Sequence, residues 1–465
     1  MPRLVVVGGG ISGLSAAVAA RRRAEEVGAG LEVTVLEKDD RCGGKALTMA
    51  RDGYLFEAGP TGYLDNEPLL DELVRAVGLS PLPANEAAAR RFIVRSGKLR
   101  EVSANPLRFV TSGLLSPLGM ARVLAEPWIR PGEGRDEESI FDFARRRLGA
   151  EVAERMIAPM VLGVFAGDAR KLSAAAAFPR LVELEQQHGS LIRALLALRR
   201  QRKLQGSPTG PGGKLTSFEG GLETLPRALA ARGGVEVHTG SAVERLEATG
   251  ARGYRLHVRG GQSLEADAVV LAGECWAVAP LLEPLAPAAA QILGAIPTPP
   301  VNVVALGYSP AMKNAVPVGF GALVPRGEDL RILGCLWDSH LFSGREPAGH
   351  LLLRVMLGGS ADPRAADLDD EDTLAQVSAD LRRLFPRLTE APLFHRIVRW
   401  PRAIPQYGPG HLHRIEALRA DLARHPGLSI AGNALEGIAF TKAAAAGVRA
   451  GRAAAAHALG LESSR

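Results

Sequence analysis

The segment from Leu4 to Glu37 constrains this chain more than any other. Leu4-Val5-Val6-Val7 is an apolar run that breaks into Gly8-Gly9-Gly10-Ile11-Ser12-Gly13, and an Ala-rich stretch of helical character follows. A second apolar run, Val33-Thr34-Val35-Leu36, ends on Glu37. A strand, a Gly-x-Gly-x-x-Gly turn, a helix and a strand closed by an acid form the dinucleotide-binding βαβ pattern. Gly8 permits the tight turn, Gly10 lets the backbone approach a pyrophosphate, and Gly13 lets the helix pack close to the strand. The phosphates then meet the positive end of the helix. Glu37 is placed to accept hydrogen bonds from a ribose hydroxyl, which favours an unphosphorylated 2′ position.

Arg41-Cys42-Gly43-Gly44-Lys45 follows directly. Adjacent glycines let the chain pass close to a flat or phosphorylated ligand, and Arg41 can offset pyrophosphate charge. This Glu-x-x-x-Arg-x-Gly-Gly arrangement resembles the flavoproteins of the amine-oxidase-like superfamily, and that resemblance implies FAD rather than NAD.

A chain of 465 residues exceeds one small core, so two or three domains are expected. Aromatic residues make up only 5%, leaving Leu, Ala and Val to fill most of the interior. Cys42, Cys275 and Cys335 match no zinc or disulfide spacing, which predicts a reducing cytoplasm. The first strand begins within three residues, which predicts no signal or transit peptide, and no apolar run of about 20 residues could cross a bilayer. A net charge of +6 favours anionic ligands or membrane surfaces and is too mild to argue for nucleic acid.

The cofactor segment is expected to return through Gly53 to Pro60. Helical periodicity is expected over Leu69–Val77, Ser139–Leu148, Val152–Val161 and Ser190–Leu204, and a loop over Gly206–Gly213. Strands are expected at Val235–His238, Ala266–Ala272 and Leu428–Ala431, with a strand-rich block from Val301 to Leu357 and a long Ala-rich C-terminal helix. The predicted class is α/β. A discontinuous Rossmann-like FAD-binding domain (1–75, 206–280, 425–465) is joined by an α+β substrate-binding domain (76–87, 281–424) and a helical insertion (88–205).

The middle of the chain is more specific. Gly163-Val164-Phe165-Ala166-Gly167-Asp168, Lys171-Leu172-Ser173, Phe178-Pro179, Gly319 to Pro325, Val355 to Gly359, Arg399-Trp400-Pro401 and Ile404 to Tyr407 resemble the protoporphyrinogen oxidase family over essentially the whole chain. The resemblance implies oxidation of protoporphyrinogen IX to protoporphyrin IX in haem biosynthesis, by successive hydride removal to flavin N5 with dioxygen as acceptor. The cation left on the substrate is delocalised over the flanking rings, so no strong base is needed, in keeping with a sequence that shows no triad or acid pair. Three rivals stand beside it: the same chemistry on coproporphyrinogen III, another flavin oxidase or desaturase, and a redox-silent flavoprotein that binds tetrapyrrole.

Carried over by position, the resemblance implies that Arg91 meets a substrate propionate, a pairing suited to the guanidinium fork. Taken alone, Arg91 reads as a solvated charge beside Arg90. Leu323, Leu336 and Met356 fall where the family places apolar residues around the tetrapyrrole, and ordinary core packing explains them equally well. The implied cofactor contacts are Gly8, Gly10, Ile11, Ser12, Gly13, Glu37, Lys38, Arg41, Gly43 and Gly44 at the first motif, Gly59, Pro60 and Thr61 at the return, then Val243 and Trp400. At the C-terminal end they are Gly432, Asn433, Gly437, Ile438 and Ala439.

The chain departs from that family near the flavin's far end. A second glycine is usual near Ala439, and an acid and a cysteine near Thr441 and Lys442. Lys442 is therefore expected to add positive charge there. The turn after Leu271 reads Ala272-Gly273-Glu274-Cys275 instead of the usual Ala-Thr-Pro. None of the ten histidines has metal-ligand spacing; His411 and His413 are expected to alternate on a strand. Asp168 is expected to hold a loop or cap a helix. Between Leu107 and Ile129 an apolar hairpin, Ser112 to Pro117, has two candidate occupants. One is a membrane on which the protein sits peripherally, at the inner face of the cell membrane. The other is a packing partner, either its own domain or a homodimer mate.

Overall fold

Strand Arg3–Val7 occupies the centre of a five-stranded parallel sheet. Glu32–Leu36 and Ala268–Leu271 flank it, and Glu236–His238 and Leu428–Ile430 form the edges. The central strands are apolar at nearly every position because both faces are covered. Leu4, Val6, Val35 and Val270 pack against the first helix, Ile11–Glu26, and the last, Phe440–Ala458. Val5, Leu36, Val269 and Leu271 face helices Cys275–Leu282 and Pro287–Gly294 and a three-stranded antiparallel sheet running from Val243 to Ala266. The computed structural model describes residues 1–103, 105–132, 138–205, 213–250 and 253–461. Residues 206–212 of the expected loop lie outside that set.

The first and last helices meet through small residues. A side chain on Gly447 would overlap the Ser12 carbonyl, and one on Gly451 the Ala16 carbonyl. Alanines fill the remaining contact, so the two backbones approach more closely than helices bearing larger residues could. This contact fixes the last helix over the dinucleotide motif.

A seven-stranded sheet forms the second layer. Its order is Phe394–Trp400, Val301–Tyr308, Leu351–Gly358, Ile332–Leu336, Gly321–Leu323, Arg91–Arg95 and Lys98–Glu101. Every pairing is antiparallel except that between Gly321–Leu323 and Arg91–Arg95. The expected start of the helical insertion at residue 88 is therefore too early. Residues 91–101 alternate Phe92 and Val94 into the core beneath this sheet and belong to it.

The helical segment follows. Ser139 caps Ile140–Leu148 by accepting from the Asp142 N–H at 3.0 Å. A π-helical turn, Ala153–Ile157, leads into Ala158–Phe165, which ends where Ala166 adopts a left-handed conformation (φ 48°). A fully buried ion pair, Arg147–Glu126, ties this segment together, and Glu126 also accepts from the N–H groups of Leu191 (2.9 Å) and Ile192 (3.2 Å).

Two expectations fail here. His411 and His413 open a helix, His411–Leu422, because Gly410 (φ 74°) turns the chain and Ile415, Leu418 and Leu422 then repeat at helical spacing into the core. Leu114 and Leu115 are buried, so the expected apolar hairpin is not the outward face of its segment. The side chains that do face outwards are Val110, Leu118 (83% exposed), Leu124 and Trp128 (79% exposed). Among the described residues no helix is long and apolar enough to cross a membrane.

Candidate functional site

The glycine turn forms as the sequence predicts. Gly8 has φ +109°, and a side chain there would meet the Ala272 carbonyl group at 2.9 Å. A side chain on Gly13 would overlap the Gly8 carbonyl. Gly10 caps the first helix without a side-chain bond, and nothing lies within 4 Å of where its Cβ would stand. The helix opens without an acid in its first turn, so its uncapped N–H groups face a space suited to an anion.

Gly43 and Gly44 close over this turn. The Gly43 N–H donates to the Gly9 carbonyl at 2.8 Å, and a Cβ on Gly44 would come within 3.5 Å of the Gly10 Cα. Glu37 is buried, accepting from Gly9 N–H (2.6 Å) and Asp39 N–H (2.9 Å). Its carboxylate thus fixes the turn. Lys38 reaches Asp39 at 2.7 Å. The backbone N–H groups of Gly240 and Ser241 donate to the Asp39 and Glu37 carbonyls, which brings the chain past Glu37 to Val243. Arg41 is committed elsewhere than expected. It pairs with Glu223 at 3.3 Å and donates to the Cys42 carbonyl at 3.2 Å.

At the far end, Gly432 (φ +146°) and Gly437 (φ +78°) bend the chain toward the last helix. Tyr407 donates its hydroxyl proton to the Asn433 carbonyl, and His411 stacks on Tyr407 (4.3 Å between centroids) with Nε2 3.2 Å from the Leu435 carbonyl. Tyr407 and His411 therefore hold the Gly432–Leu435 turn, a role the sequence did not reveal. Ile438 packs partly buried against the helical segment. Ala439, the N-cap, is extended (φ −65°, ψ 145°), a conformation open to any residue, so the missing glycine introduces no backbone strain. Lys442 does not supply the expected charge near a flavin, because its ammonium pairs with Glu67 at 2.9 Å.

The return segment is held by a residue that sequence reading missed. Arg354 is buried and uses all five of its donors. Nε and Nη2 grip the Asp338 carboxylate at 3.0 Å each, Nη1 donates to the carbonyls of Glu57 (3.0 Å) and Gly59 (3.2 Å), and Nη2 also reaches Thr61 Oγ1 at 2.8 Å. Trp400 Nε1 donates to the Ala58 carbonyl at 2.7 Å. The turn Ala58–Thr61, with Pro60 inside it, is thereby fixed to the seven-stranded sheet. The available signal was a lone cation within the apolar run Leu351 to Leu357. The carboxyl of Glu57 itself is pushed up to about 7 by burial, partly offset by hydrogen bonds from Thr48 Oγ1 (2.7 Å) and the Leu222 N–H (2.8 Å).

The four expected substrate residues share one sheet face. Register puts Arg91, Gly321, Leu336 and Arg354 in one row and Ile93, Leu323, Gly334 and Met356 in the next. Directly paired residues project to the same face, so Arg91, Leu323, Leu336 and Met356 point the same way as Arg354. Leu323, Leu336 and Met356 are half-buried, and Arg91 is exposed with its guanidinium 5.2 Å from the Phe320 ring. Helix Ala158–Phe165 covers part of this face. A side chain on Gly163 would strike Leu323, which explains the glycine in that motif. Asp168 holds the following turn by accepting from the Arg170 N–H at 3.0 Å. No group of three or more metal-ligating side chains occurs among the described residues.

The glycine-lined groove, two uncapped helix starts and open space at Gly10 fit a dinucleotide-sized cofactor. The profile of the family described as flavin containing amine oxidoreductase matches residues 11–458. The coproporphyrinogen III oxidase of Bacillus subtilis is 32% identical over 445 residues, covering 94% of each chain. The chloroplastic protoporphyrinogen oxidase of Oryza sativa subsp. japonica is 35% identical over 465 residues, covering 94% of this chain and 85% of that one. Among solved structures, one from Exiguobacterium sp. 255-15, provisionally named a protoporphyrinogen oxidase, superposes with TM-score 0.80 at 28% identity, covering 96% of this chain and 97% of that one. Cyclohexylamine oxidase from Brevibacterium oxydans IH-35A, at 20% identity and TM-score 0.71 over 99% of each chain, shares the fold. The chain is a flavin-dependent oxidoreductase that belongs to the flavin-containing amine oxidoreductase family, in its protoporphyrinogen oxidase branch.

Proposed function

We propose that this protein oxidises protoporphyrinogen IX to protoporphyrin IX in haem biosynthesis, with FAD bound along the glycine groove and dioxygen as the acceptor. The observation that carries this reading is the shared sheet face. A cation and three apolar side chains line it, and Arg354 on the same face grips the cofactor turn. FAD supplies the acceptor for each two-electron removal. Arg91 orients the substrate by one propionate, and Leu323, Leu336 and Met356 lie along the macrocycle and exclude water. The pyrrole N–H proton leaves to solvent, so no side chain need act as a strong base.

The neighbouring cations bear on the choice between the two-propionate substrate and the four-propionate coproporphyrinogen III. Arg90 is paired with Glu101 at 2.9 Å. Arg95 donates to the carbonyls of Gly113 and Leu114, and Arg100 lies beside the same turn. Arg95 and Arg100 share the sheet face of Arg91, Arg100 pairing with Ile93 one row on, and Arg95 is committed to the Gly113–Leu114 turn. Anaerobic mixing of the purified protein with each porphyrinogen should bleach the flavin with protoporphyrinogen, and air should then restore it with porphyrin fluorescence. Bleaching by coproporphyrinogen alone would reassign the substrate; no bleaching by either would remove the reading. Arg91→Ala should raise KM about tenfold, the effect of losing one charge-assisted pair, with flavin content unchanged. Mass spectrometry of the released flavin distinguishes FAD from FMN.

The outward residues Val110, Leu118, Leu124 and Trp128, beside the exposed Arg108 and Arg130, suit the surface of an anionic membrane. Co-sedimentation with anionic liposomes is expected for the wild type and lost in the Leu118→Asp/Trp128→Asp variant. Equal recovery of both in the pellet would remove the membrane assignment.

A further inference from the structure

We infer that Lys45 and Glu274 form a clasp across the cofactor groove, which sets how fast the flavin cofactor enters and leaves. The inference rests on the flavin-binding reading of the groove. One wall of the groove is the Arg41–Lys45 segment with Gly43 and Gly44, held to the floor by the Gly43-to-Gly9 hydrogen bond. The opposite wall is Ala272–Glu274, the chain leaving strand Ala268–Leu271. The floor is Gly8–Gly10 at the start of the first helix, and Gly432 stands at the far end, where a side chain would lie 3.9 Å from the Gly273 carbonyl. A dinucleotide with its diphosphate at the first helix and its ring end at Gly432 passes between these walls.

Lys45 Nζ and Glu274 Oε2 are 2.6 Å apart, so the pair spans the groove from wall to wall. Both side chains are mostly withdrawn from solvent, at 23% and 31% exposure. Neither has a second ion-pair partner among the described residues, and the buried Lys45 ammonium makes no hydrogen bond, so the ion pair is its one polar contact there. Arg41, on the same wall, is anchored behind it by Glu223 and does not cross.

A clasp present in both the free and the loaded protein raises the barrier to passage in both directions and leaves the equilibrium nearly unchanged. A direct contact to the cofactor would slow release alone. Release of flavin from the holoenzyme into an excess of a scavenging FAD-specific apoprotein, and its uptake by the apoprotein, are both followed by flavin fluorescence. Lys45→Met and Glu274→Gln should each speed release and uptake alike, by roughly three- to tenfold, the size of a part-buried ion pair. The double variant should be no faster than either single one. Added salt should speed the wild type and leave the variants unmoved.

Faster release with unchanged uptake, or unchanged rates in both variants, overturns the clasp. Each variant is checked by the thermal melting of its apoprotein, and the salt dependence of the wild type tests the clasp even where a variant melts early. A wild type that retains no flavin would instead refute the cofactor reading beneath it.

Discussion

Arg354→Met is expected to lower the unfolding free energy by about 3–5 kcal/mol, the range for breaking a buried ion pair from one side. Methionine keeps much of the side-chain volume, so the loss comes from polar groups left behind. The Asp338 carboxylate would remain buried without its bidentate partner, and the carbonyls of Glu57 and Gly59 would lose their donors. Urea titration followed by tryptophan fluorescence measures the change. Adding Asp338→Asn should recover part of it, because the double variant leaves no bare charge. Flavin content should fall in the single variant, since the Ala58–Thr61 turn depends on the same guanidinium. A midpoint within error of the wild type would show that the network bears little of the fold's stability.

The second large effect depends on pH. Burial holds the Glu57 carboxyl at about 7 in the folded protein, against about 4.3 in an unfolded chain. Between those values the folded state carries a proton that the unfolded state lacks. This contribution to stability is complete below pH 4, declines as pH rises toward 7, and is flat above that. The total is on the order of 3 kcal/mol. Glu57→Gln stays neutral and still accepts from the Leu222 N–H, so it should match the wild type near pH 4.5 and exceed it at pH 8. Arg345 and Arg354 face this carboxyl and already lower its pKa; they are present in both proteins. Glu346, whose carboxyl burial also raises, contributes the same slope to each curve and cancels in their difference. A gap that does not widen between pH 4.5 and 7 would refute the assignment.

The sequence exposed what depends on local pattern. The βαβ unit was legible because Gly8 and Gly13 each answer a steric demand, and the strands at 235–238, 266–272 and 428–431 were legible as short apolar runs between turns. Placement of Arg91, Leu323, Leu336 and Met356 on one face needed strand register, which spacing along the chain does not provide. Partners of the charged residues were hidden for the same reason. Arg41 meets an acid 182 residues away, and Lys442 one 375 residues away. The outward face of the 107–129 segment was misread because its helices, Pro106–Thr111 and Pro117–Leu124, are too short for periodicity to separate Leu114 from Leu118. The strand expected at His411 was an alternation of two histidines that the leucine spacing after it overruled.

The meeting of Gly447 and Gly451 with Ser12 and Ala16 has a consequence for synthesis. The ribosome makes the Gly8–Gly13 turn long before the helix Phe440–Ala458 that covers it, so the groove is complete only once that helix has emerged. Until then the nascent chain presents an alanine-lined helix with no partner, a surface open to chaperones. A premature stop before residue 440 would therefore remove cofactor retention along with the cover, even though every residue of the N-terminal motif had been made.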